Sequence, residues 1–239
     1  MKLKISIIIP IYNEVDSIFS LMNELLIVFK NIDPEIIIVN DGSTDNFSQT
    51  FKNYKNKSKI KVVTHDINKG KCMAMLTGIR KAKNKLIGVI DGDGQNPPKE
   101  LLKMFKFWKI KVNDTEKFSI VCGFRFKRKD TFMKKISSKA ANYVRRKILN
   151  DDCFDTACAM KVFNKNDYLK IPYFVNVHRF LPALFKMNNG RIHNFKVLDR
   201  PRIKGLSKYN FNNRFWIGIK DLYKVWKLTQ KRSDYVSHS

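Results

Sequence analysis

The sequence predicts an α/β protein with a doubly wound, mainly parallel sheet, Rossmann-like in plan, followed by a smaller C-terminal region. Three observations predict it. Short apolar runs rich in β-branched residues alternate with helix-length segments through the first half, as parallel strands joined by right-handed helical crossovers do. The 239 residues, 44% of them apolar with 18 Phe, suffice for one large core. Three of the apolar runs also end in polar, acidic text, where an open α/β sheet places its ligands.

In chain order, Lys4–Pro10 reads as a buried strand and Val15–Lys30 as an amphipathic helix. Glu35–Asn40 is a second strand, followed by a polar helical stretch over Asn46–Asn56. Lys59–His65 is a third strand, Lys71–Lys83 a helix and Lys85–Asp91 a fourth strand. Pro98, suited to a helix start, opens a helix to about Val112, and Phe118–Phe124 is a fifth strand. Beyond Arg125 the pattern loosens. Lys134–Leu149 reads as a basic helix whose Arg145 and Arg146 lie on a solvated face. Ala159–Lys165 reads as a strand, His178–Met187 as a helix and Arg191–Asp199 as a strand. In Asn213–Thr229, Phe215, Ile219, Leu222, Tyr223 and Trp226 form one helical stripe, suited either to core packing or to a membrane interface. The predicted division is 1–124, 125–212 and a C-terminal helix and tail, 213–239.

The formal net charge of +26 attracts polyanions: nucleic acid, an anionic membrane surface, or phosphate-bearing substrates. The same Lys and Asn content also fits an AT-rich genome. Cys72, Cys122, Cys153 and Cys158 form no C-x-x-C pair and stand beside no His cluster, so reduced thiols are expected in place of a zinc site. No segment approaches the roughly 20 apolar residues of a membrane span, and the chain reads as soluble or peripheral.

The polar strand ends are Asn13–Glu14 after the first strand, Asp41 to Asp45 after the second, and Asp91-Gly92-Asp93-Gly94-Gln95 after the fourth. The last of these is turn text, yet its two carboxylates and one amide oxygen also suit Mg²⁺ or Mn²⁺. Asp41 and Glu14 suit a ribose hydroxyl or a base edge. Lys69-Gly70-Lys71, opening a helix, offers cations and backbone N–H groups to phosphate. No G-x-G-x-x-G follows the first strand and no G-x-x-x-x-G-K-[ST] occurs, which argues against dinucleotide oxidoreductases and P-loop NTPases.

Taken in order, Pro10–Glu14, Asp41–Asp45, Asn68–Lys71 and Asp91–Pro98 resemble the nucleotide-sugar half of family 2 glycosyltransferases of GT-A fold. The nearer resemblance is to dolichol-phosphate mannose synthase and the bacterial polyprenyl-phosphate sugar transferases, whose D-x-D-x-Q-x-P-P signature is Asp91, Asp93, Gln95, Pro97 and Pro98. It runs on through Gly123–Asp130, Ser137–Leu149, Asp155–Phe163, His178–Leu184 and Arg200–Tyr209.

The resemblance implies a metal-dependent inverting transfer from a UDP- or GDP-sugar to a polyprenyl phosphate, by a peripheral protein at the cytoplasmic membrane face. It implies Asp91, Asp93 and Gln95 as ligands of Mg²⁺ or Mn²⁺. Pro10, Tyr12, Asn13, Glu14, Asp41, Ser43, Lys69, Gly70, Lys71, Asp91 and Gly92 would line the nucleotide-sugar site. Asp93, Asp155, Arg125 and Arg202 would carry the chemistry. Arg128, His178, Arg200 and Lys208 would meet the acceptor phosphate.

Two departures bear on this. Gly92 and Gly94 replace the usual alanine and leucine, adding backbone freedom to the loop. Where many relatives carry a catalytic carboxylate, this chain reads Val177-His178-Arg179. A phosphate acceptor is already anionic near neutral pH, its second pKa being about 6, and needs no strong base. Asp155 is the fallback base. A hydroxyl acceptor on a glycan or lipid is the alternative. A nucleic-acid partner rests on charge alone and is not expected.

Overall fold

A computed structural model of the protein describes residues 3–112, 117–126, 142–201 and 218–230. Its frame is one seven-stranded sheet in the order β3-β2-β1-β4-β6-β5-β7. The strands are β1 (Ile5–Ile11), β2 (Glu35–Asn40), β3 (Ile60–Thr64), β4 (Leu86–Val89), β5 (Ile120–Arg125), β6 (Lys161–Asn164) and β7 (Ile192–Val197). Parallel ladders join β1 to β2 and β4, β2 to β3, and β5 to β7. β6 runs antiparallel to both neighbours, β4 and β5. Six strands therefore share one direction, and all six end on one edge. An alternation of strands and helices carries no record of strand direction, so the reversal of β6 is not legible in the pattern.

Alternate residues of each central strand feed opposite faces, as the two-residue period requires. Ile8, Ile37, Val39, Ile87 and Val89 join one apolar cluster, and Ile7, Ile9, Ile36, Ile38 and Leu86 the other. The first cluster is closed by α3 (Lys71–Lys81) and α7 (Leu181–Met187). The second is closed by α1 (Val15–Val28) and α4 (Pro98–Phe107), which runs on as a π-helical turn over Trp108–Val112. Helices on both faces make the sheet doubly wound. Each fully buried Ile of β1 is worth about 1.5–3 kcal/mol in area removed from water.

The remaining helices are α2 (Phe47–Lys52), α5 (142–149), α6 (Lys165–Leu169) and α8 (218–230). The first half of the expected basic helix, 134–141, lies outside the described residues. Of its second half, Arg146 is solvated as expected but Arg145 is buried, only 6% exposed. Arg145 donates to Asn142 Oδ1 (2.6 Å), Thr156 Oγ1 (2.7 Å), Asp151 Oδ1 (3.0 Å) and the carbonyl of Cys153. A guanidinium with five donors is the residue able to close such a network. Phe215 of the expected stripe lies outside the described residues, and the described part divides. Leu222, Val225 and Leu228 pack against the core, while Ile219, Tyr223 and Trp226 face outward.

Candidate functional site

The loops at the shared strand edge are tied to one another by side chains. Asn13, at φ 53°, gives its backbone N–H to Ser43 Oγ (2.9 Å), and its Oδ1 accepts from the N–H of Thr44 (2.7 Å). Asp45 Oδ2 accepts from the N–H of Val15 (2.9 Å), satisfying one of the orphan donors at the start of α1. Ser43 N–H donates to Asn40 Oδ1 (3.0 Å). The β1–α1 and β2–α2 loops thus form one unit, in which Pro10 is buried and Tyr12, Asn13, Glu14 and Ser43 are half-buried.

Asp41, 2% exposed, is the hub beside it. Its Oδ1 accepts from His65 Nδ1 (2.7 Å) and the N–H of Lys69 (2.9 Å), and its Oδ2 from the N–H of Gly70 (2.8 Å). The backbone donors that the sequence offers to phosphate at Lys69 and Gly70 are directed at this carboxylate. Charge-assisted bonds of this kind are the strong class, and they fix the turn that opens α3. Lys69's side chain is exposed.

Lys71, the first residue of α3, sits where the helix dipole disfavours a cation. Asp91 compensates: its Oδ1 lies 2.5 Å from Lys71 Nζ. Burial works against the Lys71 charge, but Asp91, helped by Asp93, outweighs it and raises the pKa above its ordinary value.

The loop after β4 faces a polar cavity of about 110 Å³, to which it contributes Asp91, Asp93, Gln95 and Asn96. Arg125, Ala157, Cys158, Ala159 and Asp199 complete its lining. Each glycine has a steric role in this loop. A Cβ at Gly92 would stand 2.5 Å from Ile11 Cγ2, so Gly92 lets the loop lie directly on β1. Ser17 Oγ donates to the Gly92 carbonyl (2.8 Å). Gly94 has φ 73°, a conformation costly for any residue with a side chain. The N–H of Gln95 then reaches Asp93 Oδ1 (3.0 Å). Two carboxylates and an amide oxygen around one polar cavity form a hard donor set that fits Mg²⁺ or Mn²⁺.

Arg125 and Asp155 form a bidentate pair, Nε to Oδ2 at 2.7 Å and Nη2 to Oδ1 at 3.0 Å. Burial opposes the Arg125 charge, yet Asp155 more than offsets it and holds the guanidinium firmly protonated. Burial pushes the Cys158 thiol up to about 12, so it is a neutral wall group.

His178 Nδ1 lies 2.8 Å from Cys72 Sγ, next to Lys71. Burial raises the Cys72 pKa and keeps the thiol neutral, and this contact joins α3 to the turn Val177–Arg179. Arg200 turns toward the loop after β4. Its Nε donates to the Gly94 carbonyl and its Nη2 to Glu24 Oε2 (2.6 Å). Arg128, Arg202 and Lys208 lie outside the described residues.

Asn96 and Asp199 are cavity residues that the sequence reading passed over, joined at 3.2 Å through Asn96 Nδ2 and Asp199 Oδ1. The signal for Asp199 was available. It follows β7, a strand parallel to β5, and the strand-end rule applied to β1, β2 and β4 extends to it.

Comparison with known proteins specifies the family to which this sheet edge belongs. Residues 6–171 match glycosyl transferase family 2, and the chain belongs to that family. The dodecaprenyl-phosphate galacturonate synthase of Rhizobium johnstonii is 30% identical over 230 residues, covering 93% of this chain and 66% of that protein. The undecaprenyl-phosphate 4-deoxy-4-formamido-L-arabinose transferase of Proteus mirabilis is 27% identical over 215 residues, covering 87% of this chain and 63% of its own. The chain thus spans a little under two thirds of the length of these relatives. Among solved structures, glucosyl-3-phosphoglycerate synthase from Mycobacterium tuberculosis with Mn²⁺, UDP and glucosyl-3-phosphoglycerate superposes with TM-score 0.66 at 13% identity, over 95% of this chain and 79% of that one. A complex of the same synthase with Mg²⁺ and UDP gives the same TM-score at 12% identity. The architecture is GT-A.

Proposed function

We propose that this chain transfers a sugar from a nucleoside-diphosphate sugar to a polyprenyl phosphate at the cytoplasmic face of a membrane. The observation that carries the reading is the polar cavity at the strand edge, lined by Asp91, Asp93, Gln95 and Arg125. Both similar curated proteins are named for a polyprenyl-phosphate product or acceptor. The similar synthase binds UDP with Mn²⁺ or Mg²⁺.

Asp91, Asp93 and Gln95 would hold a divalent cation, which when bound supplies positive charge beside the donor's diphosphate. The interlocked β1–α1 and β2–α2 loops would receive the nucleoside against Tyr12, Asn13, Glu14 and Ser43. Lys71, whose charge is secure at neutral pH, is placed to exchange Asp91 for a diphosphate oxygen. Arg125 would face the charge that develops on the leaving phosphate while Asp155 fixes its fork, an arrangement that needs little reorganisation during reaction.

The acceptor assignment follows from what Asp155 is already doing. Both of its oxygens are engaged with Arg125, and proton removal by it would break a buried ion pair. A phosphate acceptor needs no such step. His178, which lies 2.8 Å from the Cys72 thiol, would contact it. α8 supports the membrane placement. Ile219, Tyr223 and Trp226 are 44%, 54% and 37% exposed along one stripe, interleaved with Lys220, Lys224 and Lys227.

The test is transfer of radiolabelled sugar from UDP- and GDP-sugars to added polyprenyl phosphate, with Mn²⁺ or with chelator. Lipid-dependent labelling is expected, falling roughly hundredfold or more in Asp93→Ala, as for loss of a group that stabilises developing charge. Label reaching only a glycan or lipid hydroxyl, or full activity in Asp93→Ala, refutes the reading.

A further inference from the structure

We infer that Arg200 is a positioning residue for the cation-facing loop, acting on Asp93 through a single peptide plane braced by Glu24. The inference rests on the proposed reading that Asp93 faces a divalent cation. It assigns Arg200 a role other than the acceptor-phosphate contact that the sequence suggests.

Arg200 reaches the loop from beyond the end of β7, more than a hundred residues away in sequence. Its backbone N–H donates to the Gln95 carbonyl (2.9 Å) and its Nε to the Gly94 carbonyl (2.5 Å). The other limb of the fork, Nη2, is anchored on Glu24 Oε2 of α1 (2.6 Å). Asp199, the preceding residue, accepts from Asn96 Nδ2 (3.2 Å). Residues 199 and 200 therefore hold three consecutive loop residues, Gly94, Gln95 and Asn96.

The Gly94 carbonyl and the Gln95 N–H belong to one planar trans peptide, so they point in opposite directions. Arg200 takes the carbonyl on one side. On the other, the N–H is delivered to Asp93 Oδ1 at 3.0 Å. A rotation of this peptide plane would break both bonds together. Gly94, at φ 73°, sets this plane in a conformation that residues with a side chain rarely adopt. Arg200 thus fixes the plane, and the plane fixes the rotamer of the Asp93 carboxylate. Glu24 keeps the guanidinium fork from following the loop if it moves. Lysine, a point charge, reaches one of the two partners but not both.

The test measures Mn²⁺ binding to the full chain in the presence of UDP, by electron paramagnetic resonance of free Mn²⁺. The wild type is compared with Arg200→Gln, Arg200→Lys and Glu24→Gln, and melting temperature is recorded for each. Mn²⁺ affinity is expected to fall roughly tenfold in Arg200→Gln, in line with loss of an outer-shell partner. Arg200→Lys is expected to be intermediate. Glu24→Gln is expected to weaken Mn²⁺ in the wild-type background but not on top of Arg200→Gln. That coupling is not produced by general destabilisation. The KM for polyprenyl phosphate stays within a fewfold.

Unchanged Mn²⁺ affinity in folded Arg200→Gln, with a raised KM for the acceptor, overturns the inference in favour of direct phosphate contact. A wild type that binds no Mn²⁺ even with UDP overturns the proposed function and this inference together. Mn²⁺ binding by the wild type and equally by all three variants overturns the inference alone.

Discussion

The loops that the proposed function assigns to the donor and the segments it assigns to the acceptor are built on opposite principles. On the donor side, polar side chains reach across loops to backbone groups: Asn13 to Thr44, Asp45 to Val15, Asp41 to Lys69 and Gly70. On the acceptor side, charged side chains close on one another: Arg125 with Asp155, and Arg145 with Asp151. The first arrangement fixes backbone and leaves side chains such as Tyr12 and Glu14 at the edge. The second fixes guanidinium and carboxylate groups in a buried setting, where a lost partner is costly because the survivor cannot return to water. Loss of either half of an acceptor-side pair should therefore cost more than a single change in the donor-side loops.

Arg145→Met is the largest expected break in that comparison, costing about 3–5 kcal/mol in urea denaturation, as removal of one partner from a buried pair does. Its pH dependence has a definite sign. Burial already holds the Asp151 carboxyl above its ordinary 3.8, with Arg145 offsetting part of the rise. The native state therefore binds this proton more tightly than the unfolded chain, and stability falls as pH rises from 3.8 through the folded value. Without Arg145 the folded value moves higher, and the fall continues over a wider range. The gap between variant and wild type should be widest near neutral pH and narrow in acid. A gap constant with pH would mean that Asp151 is not the group left behind.

The donor side was legible in the sequence because its signals are local. Apolar runs mark β1 to β4, and turn text at the strand ends marks the loops, so parallel strands suffice to bring Asn13, Asp41 and Asp91 to one edge. The acceptor side was legible only in part, because its decisive facts are contacts between segments far apart. Helical periodicity says nothing of which of the adjacent Arg145 and Arg146 turns inward; that depends on Asp151 and Thr156 across the following loop. The direction of β6 left no trace in the alternation. Gly92 looks like added freedom in the one-dimensional string. In three dimensions it is a contact with Ile11, set by the register of β1 against β4.

Gly92→Ala sharpens the donor side of the comparison. It restores the residue usual in the resembled family, yet here the new methyl would meet Ile11 Cγ2 at 2.5 Å. Overpacking of this kind costs about 1–3 kcal/mol, measured as a lower denaturation midpoint. Ile11→Leu, which removes the branch at Cβ, should recover most of the loss in the double variant. Equal midpoints for Gly92→Ala and wild type would show that β1 yields easily and that the loop does not depend on the close approach.

The smallest expected effect lies on α8, which divides its residues between two environments. Val225 is buried and Asp221 accepts from Asn176 Nδ2 (2.9 Å), so the inward face is satisfied by protein. The outward face stacks Tyr223 on Trp226, with Lys227 4.9 Å from the Tyr223 ring centre. An aromatic and lysine surface of this kind suits the headgroup zone of an anionic bilayer, where each Lys contributes about 1 kcal/mol. Replacing Lys220 and Lys227 by Gln should therefore weaken co-sedimentation with phosphatidylglycerol vesicles while leaving the denaturation midpoint nearly unchanged, Lys224 being kept because its Nζ lies 5.0 Å from the ring centre of buried Phe174. Replacing Val225 by Ser should do the reverse, lowering the midpoint. If both changes act on stability alone, the outward stripe is a protein contact and the membrane assignment of this helix fails.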